Sequence, residues 1–296
     1  MKRDLYSEVT ARILAELERG AAPWRKSWSA TAGQNVPQNA VTNRPYSGCN
    51  VILLWLARNR GWATPRFLTF KQATEAGGNV RKGEHATHVI LWKPVPKKQS
   101  GDEGEEKDGS YLLLRSYAVF NAQQADNVPE LPLAVEHDPI EKAEEIVRGY
   151  VPHGPLIQFG GGSAHYVQSS DIVACPNMGQ FERIEGYYST LYHELVHSTG
   201  HESRLDRLTR TGFGSGPYAK EELIAEMGAA MLCGMAGIDN LDQSASYLKG
   251  WLKPIGEDPK FVIQAAANAQ KAADLILGTS FVSDSQESEN RELVAA

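Results

Sequence analysis

The sequence predicts an α+β fold in two domains, and three observations carry that expectation. Segments with apolar residues at helical spacing alternate with short runs rich in β-branched and aromatic residues. The charge divides: residues 1–125 hold 18 Lys and Arg against 11 Asp and Glu, a balance of +7, whereas residues 126–296 hold 12 against 25, a balance of −13. Between the halves, Ala125 to Pro139 carries Pro129, Pro132 and Pro139 among acids, the composition of a linker. The expected boundaries are 1–125 for a basic domain, 126–139 for the linker, 140–280 for an acidic domain and 281–296 for a Ser- and Glu-rich disordered tail.

The totals narrow the class. At 296 residues, 42% hydrophobic and 22% charged, the chain has ordinary globular composition with room for two cores. No run of roughly 18 apolar residues marks a membrane span. Met1 to Glu8 lacks the apolar core of a signal peptide, so a cytoplasmic location is expected. Cys49, Cys175 and Cys233 are odd in number and widely spaced, which suits free buried thiols in a reducing compartment.

In the basic half, Leu5, Val9, Ile13 or Leu14, and Leu17 recur at helical spacing, and Gly20 ends that helix. Val51 to Arg60 is a second, more apolar helix. Thr69 to Ala73 opens a short third one, closed by Gly77-Gly78. Val80 to Gly83 is a turn. Val89 to Lys93 and Tyr111 to Asn121 are strands, expected to pair across the charged segment Gly101 to Gly109.

Aromatic and basic residues interleave along this half. Single-stranded nucleic acid suits such a pattern, because cations follow phosphates and flat rings stack on unpaired bases. The candidate contacts are Trp24, Arg25, Lys26, Trp28, Arg44, Tyr46, Lys71, Arg81 and Lys82. No helical major-groove motif is present.

Several spaced motifs then carry a resemblance: Pro23-Trp24 with Trp28, Tyr46-Ser47-Gly48 with Asn50, Thr69 to Ala73, Gly77-Gly78 with Arg81 to Gly83, and Val119 to Asn121 with Gln124. Residues 4–125 resemble the N-terminal domain of ArdC-type antirestriction proteins, a domain that also occurs in plasmid-transferred primases of the TraC type. The resemblance implies single-stranded DNA as the partner. It does not say which side chains touch it.

In the acidic half, Ile140 to Tyr150 is a helix. Leu156 to Phe159, Ala164 to Val167 and Asp171 to Cys175 are strands. Gly160 to Gly162 lacks the Lys-Ser/Thr of a phosphate loop and is a turn. A substrate peptide can add to an edge strand near a metal, and the strand running to Pro176 is the nearest in sequence.

Arg183 to Thr199 is a helix ended by Gly200, and it carries His193-Glu194-Leu195-Val196-His197. Positions i and i+4 share a face, so His193 and His197 can grip one divalent ion, zinc or alternatively manganese. Glu194, about 100° round the helix, can reach a water without ligating. A catalytic metal needs a third ligand. Ser203 stands where a metzincin would have its third His. Tyr218 to Met235 is a helix with Glu226 among apolar neighbours, where an unpaired carboxylate is costly. Glu226 is therefore the expected third ligand, with Glu222 behind it orienting a His; the reverse assignment stays open. Glu221 is expected in solvent. His201 either supports a ligand or is merely exposed, and Tyr187, Tyr188 and His201 are weak oxyanion candidates.

Tyr187-Tyr188, His193 to His197 with Thr199 to His201, Arg204-Leu205, Glu221 to Leu223 with Ala225-Glu226, Tyr247-Leu248 with Trp251-Leu252, and the helix Pro259 to Leu277 resemble the second domain of the same family. The resemblance implies a zincin-like metallopeptidase domain with its motif helix beside a small sheet. The function implied is antirestriction in a conjugation recipient: single-stranded DNA is bound, and a restriction-system protein or another DNA-bound protein is the peptidase substrate. The alternative is a non-catalytic DNA-masking protein with a structural metal. A primase or polymerase is disfavoured, because no acidic polymerase motif is present.

Overall fold

The computed structural model describes residues 4–19, 36–58, 61–96, 110–128, 138–208, 216–238 and 245–279. Trp24, Arg25, Lys26, Trp28, the segment Gly101 to Gly109, residues 129–137 of the linker and the 281–296 tail lie outside the described residues.

Helix α1 (Leu5–Glu18) starts at Asp4, whose carboxylate accepts from the backbone N–H of Tyr6 and Ser7, and it buries Val9, Ile13 and Leu17. Strand β1 (Gln38–Asn39) precedes α2 (Cys49–Arg58). Strand β2 (Arg66–Leu68) leads into α3 (Phe70–Glu75), which starts at a capping box between Thr69 and Gln72. Strands β3 (Asn79–Val80), β4 (Thr87–Pro96), β5 (Ser110–Asn121) and β6 (Ala125–Asp126) follow. The main sheet has the order β1-β2-β5-β4, and β3 pairs with β6. The expected pairing of the two long strands is observed, antiparallel from Thr87↔Val119 to Pro96↔Ser110.

Strand β4 lies at the sheet edge, and α2 covers part of it. The Asn50 amide donates to the Ile90 carbonyl at 2.7 Å and accepts from the Ile90 N–H at 2.8 Å. One side chain thus satisfies a strand position that would otherwise invite pairing.

In the second half, α4 (Pro139–Tyr150) is capped by Asp138 with Pro139 in its first turn. Strands β7 (Leu156–Phe159), β8 (His165–Val167) and β9 (Ile172–Cys175) form a sheet of order β7-β9-β8. The strand nearest in sequence to the motif helix, β9, is therefore central, parallel to β7 and antiparallel to β8. It has no edge to offer a peptide, whereas β8 has one. Helices α5 (Ile184–Thr199), α6 (Gly216–Ala236), α7 (Ala245–Glu257) and α8 (Phe261–Leu277) complete the chain. Pro254 lies within α7 and hides its helical pattern from the sequence, yet Trp251 and Ile255, four apart, are buried.

One hydrophobic core runs through both halves. Val9, Ile13, Ile52 and Trp55 belong to the same cluster as Leu223, Met231, Val262 and Ala266. The halves also meet through polar contacts: Thr10 Oγ1 donates to the Pro259 carbonyl at 2.8 Å, and the Gly48 N–H donates to Gln270 Oε1 at 3.0 Å. Small residues bring α5 and α6 together. A β-carbon on Gly228 would stand 2.8 Å from Val196 Cγ2, so only glycine permits this helix approach. Val196 is the residue before His197, which links the packing to the site.

Candidate metal centre

The fold brings the first turns of α6 against the C-terminal half of α5. His193 and His197 present their Nε2 atoms to each other at 3.1 Å. Glu222 adds its carboxylate 3.6 Å from each Nε2. The ligand atoms of these three residues lie within 4.8 Å of one another. Two imidazole nitrogens bound tetrahedrally to zinc at about 2.0–2.1 Å stand roughly 3.3 Å apart. The pair already has that separation, so the donor set fits a divalent ion.

The opposite edge of each ring is held by another carboxylate. Glu226 Oε1 lies 3.2 Å from His193 Nδ1, and Glu221 Oε1 lies 3.2 Å from His197 Nδ1. A ring that donates from Nδ1 keeps a lone pair on Nε2 for a metal.

The geometry follows the assignment left open for Glu222 and departs from the one expected for Glu221. Glu226, expected in the ligand cluster, sits behind His193 at 2% exposure, and Glu222 occupies the convergent position. An apolar neighbourhood reports depth along α6, and the deeper carboxylate meets the back of the ring. Glu221, expected in solvent, is clamped: Arg207 reaches its Oε2 through Nε at 2.9 Å and its Oε1 through Nη2 at 2.8 Å. The same guanidinium donates to Thr199 Oγ1 and to the Val196 carbonyl, satisfying the end of α5.

The electrostatics follow. Burial alone would lower the His193 pKa, but the carboxylates of Glu222 and Glu226 outweigh it and raise it to about 10, so an ion bound at Nε2 must displace a proton from this ring. Burial would raise Glu222, yet its bond to His193 and the charge of His197 pull it down to about 2. Glu221 is likewise held below the ordinary carboxylate value, because His197 and Arg207 outweigh its burial.

The cluster opens into a cleft of about 660 Å³ lined by His165, Tyr166, Glu194 and Tyr218 among others. Glu194 is 8% exposed and lines the same cleft as the two imidazoles without joining the convergent cluster. Behind it, Cys175 is pushed up to about 11 by burial and by the Glu194 charge, so that thiol stays protonated and inert.

A second ion pair fixes the wall of the cleft. Arg204 binds both oxygens of Asp171, and its Nε donates to the Ser198 carbonyl at 2.8 Å. Tyr166 donates to Asp171 Oδ1 at 2.8 Å. Together they tie the β8–β9 hairpin to the end of α5.

Tyr187 and Tyr188 are buried and do not line the cleft; the Tyr188 hydroxyl donates to Glu144. His201 bonds Ser203 and does not line it either. Sequence reasoning missed Arg207, Tyr166 and Tyr218. The one available signal for Arg207 was a pair of arginines, Arg204 and Arg207, directly after the helix stop.

Among the described residues, the DNA-contact candidates scatter over their half. Arg81 is engaged by Glu84 and Asp126, at 2.8 and 3.3 Å. Lys71 stands 3.6 Å from Glu75. Tyr46 is half-buried against the Leu54, Phe67 and Val89 cluster. Arg44 and Lys82 are exposed.

The class is now defined on two grounds. The site and its sheet belong to a zincin-like metallopeptidase domain, whose family model matches residues 141–268. Residues 3–120 match the model of the N-terminal domain of anti-restriction factor ArdC.

The comparisons then become particular. The chain is 36% identical to the antirestriction protein ArdC of plasmid R388 in its metal-free structure, covering 93% of this chain and 97% of that one at a TM-score of 0.76. The Mn(II)-bound structure of the same protein gives 37% identity, 93% and 98% coverage, and a TM-score of 0.74. Protein y4eC of Sinorhizobium fredii is 34% identical over 92% of this chain and 91% of its own length. A DNA primase TraC of Escherichia coli is 37% identical over 94% of this chain, which spans only 27% of that larger protein. This chain belongs to the ArdC antirestriction family.

Proposed function

We propose that this chain is an antirestriction protein that binds single-stranded DNA entering a recipient cell by conjugation and carries a metal-dependent peptidase centre, acting in the cytoplasm. The observation that carries the enzymatic reading is the convergence of His193, His197 and Glu222 in an open cleft that Glu194 also lines. His193, His197 and Glu222 would hold one divalent ion, zinc or manganese, and the Mn(II)-bound ArdC structure supports a metal of this kind. Such an ion acidifies a water and polarises a carbonyl when bound. Glu194 takes the proton of the attacking water and returns it to the leaving amine. Glu221, hydrogen-bonded to His197 Nδ1, and Glu226, 3.2 Å from His193 Nδ1, orient the two rings from behind. The open edge of β8 receives the substrate backbone as an added strand. The substrate class is a protein bound on or near the captured DNA, a restriction subunit included.

The DNA reading rests on the +7 balance of residues 1–125 and on the family of its N-terminal domain. The discriminating variant is Glu194→Ala. It is expected to keep the metal and lose all proteolysis; a variant that loses metal yet still cuts refutes the assignment. Comparing restriction protection by wild type and Glu194→Ala in a recipient cell decides whether cleavage matters. Equal protection assigns the activity to DNA masking.

A further inference from the structure

We infer that the single-stranded DNA interface is the solvent face of the β4–β5 hairpin, with Tyr117 as a base-stacking ring and Arg115 and Lys93 as phosphate contacts. The inference rests on the single-strand-binding reading above and gives that reading a place.

The register supplies the argument. Paired strand residues share a face, and alternate residues return to it. Val89 pairs with Tyr117, Leu91 with Arg115 and Lys93 with Leu113. All six therefore lie on one face, where Arg115 and Lys93 are diagonal neighbours. Two like charges so placed repel each other. Among the described residues of that face in these two strands, from Thr87 to Lys93 and from Leu113 to Val119, none is acidic. The surface is complementary to a polyanion. Its core end is closed by Val89 and Val119, which pack with Leu54 and Ala57 of α2. Beyond that seal Tyr117 remains 39% exposed and Arg115 is exposed, with Lys93 half-buried beside it. A ring that the core does not use, flanked by cations and by half-buried Leu91, matches the chemistry of an unpaired base on its phosphate chain. Tyr46 and Trp62, half-buried, border the same Val89–Val119 cluster and extend the aromatic surface. The Asn50 clamp on Ile90 stiffens the platform before any ligand arrives.

The test uses the full chain and a fluorescent oligothymidine, with anisotropy read across a salt series. Tyr117→Ala is expected to weaken binding about tenfold with the salt slope unchanged, because stacking releases no counterion. Tyr117→Phe should bind like wild type, since the ring is kept. Arg115→Gln should lower the salt slope by about 0.7 and keep the stacking contribution. A comparator, Arg44→Gln with Lys71→Gln, should change affinity less than Arg115→Gln alone. Thermal melts of the Tyr117 and Arg115 variants should match wild type, as both side chains are exposed. If wild type binds the oligonucleotide and the Tyr117 and Arg115 variants bind equally well, this face is not the interface, while the single-strand reading stands. If wild type fails to bind, or prefers duplex, the single-strand reading falls and this inference falls with it.

Discussion

The α5–α6 pair and the β4–β5 hairpin are built by the same device and put to opposite uses. Each joins two consecutive elements and sets their side chains against one another. In the helix pair, three carboxylates and two imidazoles are buried or half-buried at one cleft and stand against one another. Removing one strands another, so single changes there should be severe. On the hairpin, Arg115 and Tyr117 are exposed, and a charge at an exposed surface is screened by salt, so single changes should be mild. The comparison teaches where specificity resides: in the metal half it lies in individual atoms, in the basic half in the sum over a face.

The largest effect should come from Arg207→Ala. It leaves the half-buried Glu221 carboxylate without its guanidinium and removes two hydrogen bonds at the end of α5. The expected loss is about 3–5 kcal/mol of stability in a denaturant titration of the metal-free protein. A loss below about 1 kcal/mol would place Glu221 in effective contact with water and blur the contrast between the regions.

Next in size, Glu222→Gln should weaken metal binding more than a hundredfold, whereas Glu226→Gln should cost only about 10–100-fold as a group that orients His193. Calorimetric titration with Mn2+ or Zn2+ decides between them. A greater loss for the Glu226 variant would return that residue to the ligand set. Gly228→Val forces α5 and α6 apart at Val196 and should cost about 1–3 kcal/mol. It should weaken the metal as well, although it touches no ligand; undiminished metal affinity would show that the packing and the site are not coupled.

The smallest effect is a dependence on acid. Arg204 is the main cause holding the Asp171 carboxyl below its ordinary value of 3.8. A depressed carboxylate stabilises the fold above the unfolded value, and the contribution is lost as pH falls from 3.8 through the folded value. Asp171→Asn keeps a residue tolerant of the positive φ of 52° there. The melting temperatures of wild type and variant should differ at neutral pH and converge as pH falls below 3.8 through the folded value. A constant gap across that range would exclude the ion pair as its source.

Much of the fold was legible. The helical spacing of Leu5 to Leu17, the capping residue Thr69 and the β-branched run at Val89 each signal their element locally, and the observed elements agree. Local signals also failed where a local rule was broken: Pro254 masked α7. At the site, the H-E-x-x-H spacing alone places both imidazoles on one face, because 3.6 residues per turn fixes that geometry.

The sequence by itself determined which residue types could meet: two histidines four apart, a glutamate beside the first, and three glutamates on a later helix. It could not rank Glu221, Glu222 and Glu226, because that choice depends on how deeply α6 enters against α5. The tertiary structure decided it through the contact at Gly228 and Val196. That approach sets Glu222 before the two Nε2 atoms, Glu226 behind one ring and Glu221 behind the other. Likewise, the sequence carried the positive charge of the first half, and only strand register put Tyr117, Arg115 and Lys93 on one face. A period along a chain gives a direction from each backbone, and only packing gives a distance between two backbones.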